Sequence, residues 1–153
     1  FENAKQDVVE IILEKKAQIT SDTLPKATVI VFQIQQLFSN LLSNSLKYSQ
    51  EETVPIINVN YSKVKASEEP DLIKASKNFY HKITFTDNGI GFEQKYADQI
   101  FQLFSRLHNK KEYSGTGVGL SICKKIVDNH QGFIFAKGEI NVGATFTIYL
   151  PVS

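Results

Sequence analysis

A two-layer α/β sandwich, with one layer of helices on one mixed and mostly antiparallel sheet, is the fold class this sequence predicts. Three observations predict it. Two stretches, residues 32–48 and 119–129, repeat apolar side chains at helical spacing. Four strand-like segments fall in two pairs, each pair joined by a polar connection. No internal repeat or low-complexity linker divides the 153 residues, so residues 1–153 read as a single domain large enough to bury a real core.

Taken in order, Val8, Val9, Ile12 and Leu13 recur among charged residues and predict an opening amphipathic helix that ends near Lys16. Pro25 then separates two extended pieces, residues 17–23 and 28–31. The long helix of residues 32–48 has an apolar stripe of Ile34, Leu37, Phe38, Leu41, Leu42 and Leu46. Gln33, Gln36, Asn40, Asn44 and Lys47 fall on the opposite stripe. Ile57, Val59, Tyr61 and Val64, followed by Phe79, His81, Ile83 and Phe85, predict a hairpin around a polar connection containing Pro70. A short helix over residues 94–101 leads into a polar loop over 108–114. The helix of residues 119–129 presents Leu120, Ile122, Cys123, Ile126 and Val127 as its core face and stops at Gly132. Strands over 133–137 and 144–150, turned by residues 138–143, close the chain.

Composition narrows the functional class. With 42% hydrophobic and 22% charged residues the chain is a globular protein and not a disordered one. A net charge of +1 gives no overall pull toward nucleic acid or anionic membrane, so any partner must be recognised locally. The lone Cys123 cannot form an internal disulfide, and no apolar run approaches the roughly 20 residues of a membrane span, so a cytoplasmic setting without direct membrane contact is expected. The chain begins without Met and without a signal peptide, as a piece of a longer protein would, and its parent can be soluble or membrane-anchored.

Three motifs bear chemistry. Asparagine is a poor helix former, costing about 0.6 kcal/mol against alanine, and a solvated helix face usually prefers Glu, Lys or Arg. Asn40 and Asn44, one turn apart, with Lys47 nearly a turn beyond, align two amide oxygens and an ammonium. An amide oxygen is a hard ligand suited to Mg2+, which takes much of its shell from water and substrate phosphates, and Lys47 would face the same phosphates as a point charge. Asp87 ends a strand and is followed by Asn88-Gly89-Ile90-Gly91. Such residues also make ordinary turns, but an Asp there can accept from an exocyclic amino group such as that of adenine, with glycines admitting the ring. Gly115-Thr116-Gly117-Val118-Gly119-Leu120 opens a helix, where free backbone N–H groups and the helix N-terminus favour an anion. The spacing is neither a Walker loop nor a dinucleotide fingerprint, so a different phosphate-binding fold is required.

These segments resemble the signature boxes of sensor histidine kinases. Residues 36–49 look like the asparagine box, 87–92 like the first glycine box, 100–106 like the phenylalanine box and 114–122 like the second glycine box, and Gly143-Ala144-Thr145-Phe146 resembles the closing glycine motif. The resemblance covers nearly the whole chain in the right order and is greatest to phytochrome-like and PAS-linked kinases. It implies the Bergerat-type ATP-binding sandwich with a mobile lid over residues 93–114, and residues 1–16 can carry the end of a linker from an upstream dimerisation helix. By the same resemblance, Asn44 is the Mg2+ ligand, Asn40 a helper near the reacting phosphate, and Lys47 and Tyr48 contact nucleotide. Asp87 would read the adenine amino group with Gly89, Gly91 and Thr145 nearby, residues 115–120 would hold phosphate oxygens, and Phe101 and Phe104 would anchor the lid. Arg106 is assigned to the phosphates or the partner helix. Two departures stand out: Ile30, where relatives often carry Asp, and a long hairpin connection over residues 67–78.

Related ATP hydrolases such as gyrase, mismatch-repair ATPases and heat-shock chaperones carry Glu where this chain has Asn40. An amide is no general base at neutral pH, so poor hydrolysis and transfer to a neutral imidazole are expected. His81, His108 and His130 do not begin the His-Glu/Asp motif of a phosphoacceptor helix. The implied acceptor is a histidine on an upstream dimerisation domain, with a response regulator aspartate next, and the isolated piece is expected to be monomeric. A nucleotide-binding regulator without phosphotransfer and an anti-sigma-type serine kinase are the alternatives.

Overall fold

The computed structural model describes residues 1–102 and 119–152. Helices α1 (Glu2–Asp7), α2 (Val9–Lys15), α3 (Val31–Lys47) and α4 (Gly119–Asn129) accompany strands β1 (Gln18–Ser21), β2 (Ile56–Lys65), β3 (Phe79–Asp87), β4 (Phe133–Glu139) and β5 (Gly143–Pro151). The five strands form one sheet in the order β1-β2-β3-β5-β4. Among the described residues only β1 and β2 run parallel, and the other pairings are antiparallel. The sandwich is therefore mixed and mostly antiparallel, as the sequence predicts.

Strand alternation decides what each face of the sheet meets. Ile57, Val59, Ile83, Phe85, Phe146, Ile148 and Ile134 point to one side and pack with Leu37, Phe38, Leu41, Leu42 and Leu46 of α3 and Cys123, Ile126 and Val127 of α4. Phe1 reaches this core, its ring 6.1 Å from Phe38 and 6.3 Å from Phe85. On the other side Tyr80 and Tyr149 form a smaller cluster with Leu72 from the long connection of residues 66–78. That connection is a strap: Glu69 accepts from the Tyr149 hydroxyl at 2.9 Å and pairs with Lys82 at 2.8 Å.

Local physics accounts for the differences from expectation. The opening helix is broken at Val8, where the Val8 N–H turns to the carbonyl three residues back at Lys5 and the side chain is buried. Lys16, in the left-handed conformation, then ends α2. The extended piece at 28–31 joins no strand, because α3 already starts at Val31. No side chain of its own segment caps α3 at Ile30; instead His130 Nε2, from just beyond α4, accepts the Ile30 N–H at 3.0 Å while its Nδ1 bonds the Ile126 carbonyl at 2.8 Å. The helix expected over 94–101 is two separate 3-10 turns, Gln94–Tyr96 and Gln99–Phe101. No helix among the described residues is long and apolar enough to cross a membrane.

Because Leu41 is wholly buried where α3 meets the sheet, Leu41→Ala is expected to cost about 2–5 kcal/mol by lost burial and a residual cavity. Urea unfolding should show this as a lower midpoint with an unchanged slope.

Candidate nucleotide site

The site forms where the polar stripe of α3, the end of β3 and the start of α4 meet. Asn40, Asn44, Lys47 and Tyr48 follow one another along α3 and its exit, all half-buried. Asn40 Nδ2 donates to the Gly119 carbonyl at 3.4 Å, so the amide stripe abuts the first turn of α4. Next to it Cys123 is buried, which pushes its thiol up to about 12 and leaves it an inert core residue. The Lys47 ammonium lies 5.3 Å from the centre of the Tyr48 ring.

Asp87 is the most constrained group in the site. Its Oδ2 accepts from the Ser45 hydroxyl at 2.7 Å, and its Oδ1 accepts from the backbone N–H groups of Gly89 at 2.9 Å and Ala144 at 3.2 Å. Burial, the largest influence, pushes this carboxyl above its ordinary value of 3.8, while the Gly89 amide, the Ser45 hydroxyl and the Ala144 amide pull it down. A carboxylate offers about four acceptor positions, and three are used among the described residues, which leaves one position on Oδ2 for a further donor. That remaining capacity fits an exocyclic amine.

The glycines divide into two kinds. Gly91, at φ +67, adopts the left-handed conformation, and a side chain there would strike the Glu139 carbonyl. A Cβ on Gly89 would lie 2.6 Å from the Tyr48 carbonyl. Both are therefore demanded by close backbone packing inside the protein, whereas the expectation was room for an approaching ring. At Gly119 a Cβ would meet nothing within 4 Å among the described residues, so no neighbour there requires glycine. Leu120 follows it, half-buried, on α4. Gly115, Thr116, Gly117 and Val118 of the expected phosphate cradle, with Phe104, Arg106 and His108, lie outside the described residues. Of the expected lid anchors, Phe101 packs edge-on against Phe146 at 6.2 Å.

Thr145 has its side chain on the sheet face opposite the Asp87 side chain. It pairs with Thr86, not with Asp87, and its hydroxyl donates to that of Thr86 at 3.3 Å. Side chains alternate along β5, so Thr145 points to the sheet face opposite Asp87, and Ala144 is the residue set against the carboxylate. Ser45 and the Ala144 amide are partners that sequence reasoning missed. Ser45 did leave a signal: it is a polar residue on an otherwise apolar helix face, buried between Leu42 and Leu46. The histidines are structural where described, since His81 is buried with Nδ1 2.8 Å from the Tyr61 hydroxyl and His130 caps α3.

A buried acid with a further acceptor position, beside a helix lined by amides and a lysine, suits a nucleotide-binding class of site. The family comparisons are specific: residues 30–153 match the model of the histidine kinase-, DNA gyrase B-, and HSP90-like ATPases, and the chain belongs to that family. It is 39% identical over 141 residues to cyanobacterial phytochrome A of a Nostoc species, covering 92% of this chain but 17% of that protein. The fold superimposes on the mycobacterial sensor histidine kinase MprB with a TM-score of 0.74 at 18% identity, covering 98% of this chain and 92% of that one. It also superimposes on full-length ShkA, solved in complex with AMPPNP, with a TM-score of 0.75 at 18% identity, covering 98% of this chain and 28% of that one. The chain corresponds to the catalytic ATP-binding domain of sensor histidine kinases, the phytochrome-like ones included, and spans about a sixth of the length of the phytochrome it matches.

The raised Asp87 carboxyl fixes a sign. A group whose folded-state value lies above its unfolded value binds its proton more readily when folded, so stability falls as pH rises through the window between the two. At neutral pH the fold therefore carries an ionised carboxylate at a cost. Asp87→Asn should melt at the same or a higher temperature than wild type at pH 7, and the gap should close as pH falls below the ordinary carboxylate value, as read by calorimetry across pH.

Proposed function

We propose that this chain binds Mg-ATP and transfers its γ-phosphoryl group to a histidine on a separate dimerisation and phosphoacceptor domain of the parent protein, from which a response regulator aspartate takes it. The observation that carries this reading is the Asp87 carboxylate, held by Ser45, Gly89 and Ala144 with acceptor capacity to spare. It is positioned to select an amino-bearing base, and family membership and the AMPPNP complex of ShkA support adenine as that base. The setting proposed is the cytoplasm.

Each residue has a distinct task. Asp87 accepts from the base. Asn44 offers an amide oxygen to the metal, and Asn40 lies a turn away, where it meets the start of α4. Among the described residues no three or more His, Cys, Asp or Glu side chains converge, so the donor set fits a cation that arrives with phosphate oxygens. Bound Mg2+ supplies charge neutralisation at the phosphates. Lys47 and Tyr48 contact the nucleotide, Lys47 facing the phosphates as a point charge, and Gly115, Thr116, Gly117, Val118, Gly119 and Leu120 offer backbone N–H groups to the phosphates. Asn40 cannot take a proton from water, which favours a nucleophile that needs no general base, such as a neutral imidazole.

Equilibrium titration with ATP and ADP, with and without Mg2+, tests the binding step. Wild type should bind both, Asp87→Asn should lose about tenfold to a hundredfold in affinity through a missing charged hydrogen bond, and Asn44→Ala should abolish the Mg2+ dependence. A folded wild type that binds neither nucleotide would refute the proposal. With the parent's acceptor domain added, an acid-labile phosphoprotein is expected; an acid-stable one would point to a serine acceptor, and none at all to a nucleotide-binding regulator.

A further inference from the structure

Gln50, beyond the end of α3, points its side-chain nitrogen at three backbone carbonyls: those of Asn88 at 3.1 Å, Gly89 at 3.1 Å and Asn141 at 3.0 Å. All three partners only accept, so the orientation of the amide is fixed with its nitrogen facing them. Two of these carbonyls belong to planar peptide units whose other ends are also held. The Asn88 carbonyl shares its plane with the Gly89 N–H, which donates to Asp87 Oδ1 at 2.9 Å. The Gly89 carbonyl shares its plane with the Ile90 N–H, which donates to the Tyr48 carbonyl at 2.9 Å. The third carbonyl lies in the turn between β4 and β5, where the Asn141 N–H returns to the Ile90 carbonyl at 2.8 Å.

Gln50 thus grips from one side the peptide plane that Asp87 grips from the other. Without it, the Asn88–Gly89 peptide has no partner for its carbonyl in this network and can rotate, withdrawing a donor from Asp87. Asn88 holds the other flank: its Oδ1 accepts from the Ile56 N–H at 2.8 Å, and its Nδ2 donates to the Val54 carbonyl at 3.1 Å. The loop is therefore tethered at the β2 side by Asn88 and at the α3 and β5 sides by Gln50.

We propose that Gln50 is a positioning residue for base recognition, orienting Asp87 through the Asn88–Gly89 peptide so that the site discriminates the base. This rests on the nucleotide reading above. Among the described residues the Gln50 side chain bonds the Asn88, Gly89 and Asn141 carbonyls and no proposed phosphate-binding residue, so its loss should fall on base selectivity and spare affinity for the phosphates.

The test compares Gln50→Glu, which keeps the shape but turns an acceptor toward three carbonyls, with Gln50→Lys, which restores donors. Kd values for ATP, GTP and inorganic triphosphate are measured on the whole chain, together with hydrogen exchange at the Gly89 amide. In Gln50→Glu the ATP-over-GTP preference should fall about tenfold, triphosphate affinity should stay within about twofold, and Gly89 should exchange faster; Gln50→Lys should recover most of the preference. A purely structural role would lower all three affinities together and leave the ATP-over-GTP ratio intact. If Gln50→Glu does not fold, Gln50→Ala, which only deletes the donor, takes its place. Wild type that prefers ATP, with an unchanged ratio in the variant, overturns this inference alone. Wild type that binds no nucleotide overturns the function proposed above, and unaltered Gly89 exchange in the variant then overturns the peptide clasp as well.

Discussion

The Asp87 carboxylate is the joint on which the site depends, because it ties three separate pieces of chain together at one point. Ser45 comes from α3, Gly89 from the loop after β3 and Ala144 from β5, and each donates to it. A carboxylate drawn out of water costs free energy unless donors replace the lost hydration. Here the donors lower its pKa yet burial still prevails, so the ionised acid is held at a net cost. Such local cost, carried by a well-packed surround, is common where a group is kept ready for a ligand. The surround is substantial: β3 pairs along its whole length with β2 and from Tyr80 onward with β5, and Phe85 two residues earlier is completely buried.

The long helix α3 serves core and site at once. Its inner face, Leu37, Phe38, Leu41, Leu42 and Leu46, is buried against the sheet and holds the helix at a fixed height over β3. Its other stripe is then carried at the same height, which brings Asn40 to Gly119 and Ser45 to Asp87. Both ends of the helix are also fixed from outside. His130 takes the N–H at its start, and the Lys15 ammonium donates to the Leu46 carbonyl at 2.6 Å and the Ser49 hydroxyl at 2.9 Å near its end. A cation at a helix C-terminus is favourable for the helix dipole, and the half-buried setting of Lys15 strengthens it. The amide stripe is consequently a rigid edge.

The face of the sheet turned away from the helices has a separate life. Glu69, Lys82 and Tyr149 bind the strap of residues 66–78 across it, and burial together with the Glu69 carboxylate pushes the Tyr149 phenol well above its usual range. Thr86 and Thr145 lie on this side too, bonded to each other. Two cores back to back make the central strands resistant to sliding, since a one-residue slip would exchange Phe85 and Phe146 for Thr86 and Thr145 against the helices.

Periodicity by itself determined most of the fold. The repeat of α3 and the alternation of β2, β3, β4 and β5 state which side chains must leave water, and burial is the dominant force that such patterns report. The same logic singled out Asn40, Asn44, Lys47 and Asp87 as candidates, because amides on a helix and an acid at a strand end depart from what burial or solvation alone selects. What the chain could not disclose locally required contacts distant in sequence. The capping of α3 by His130, 100 residues away, and the reason for Gly91, which is the Glu139 carbonyl, are both of this kind. Thr145 shows the limit most plainly: the motif around it was legible, but only the register of β5 on β3 turned its hydroxyl to the far face and set Ala144 against Asp87. Sequence fixes which groups are present and their period along the chain, whereas which of them face one another is decided by strand register and helix packing, and those are settled by the whole core at once.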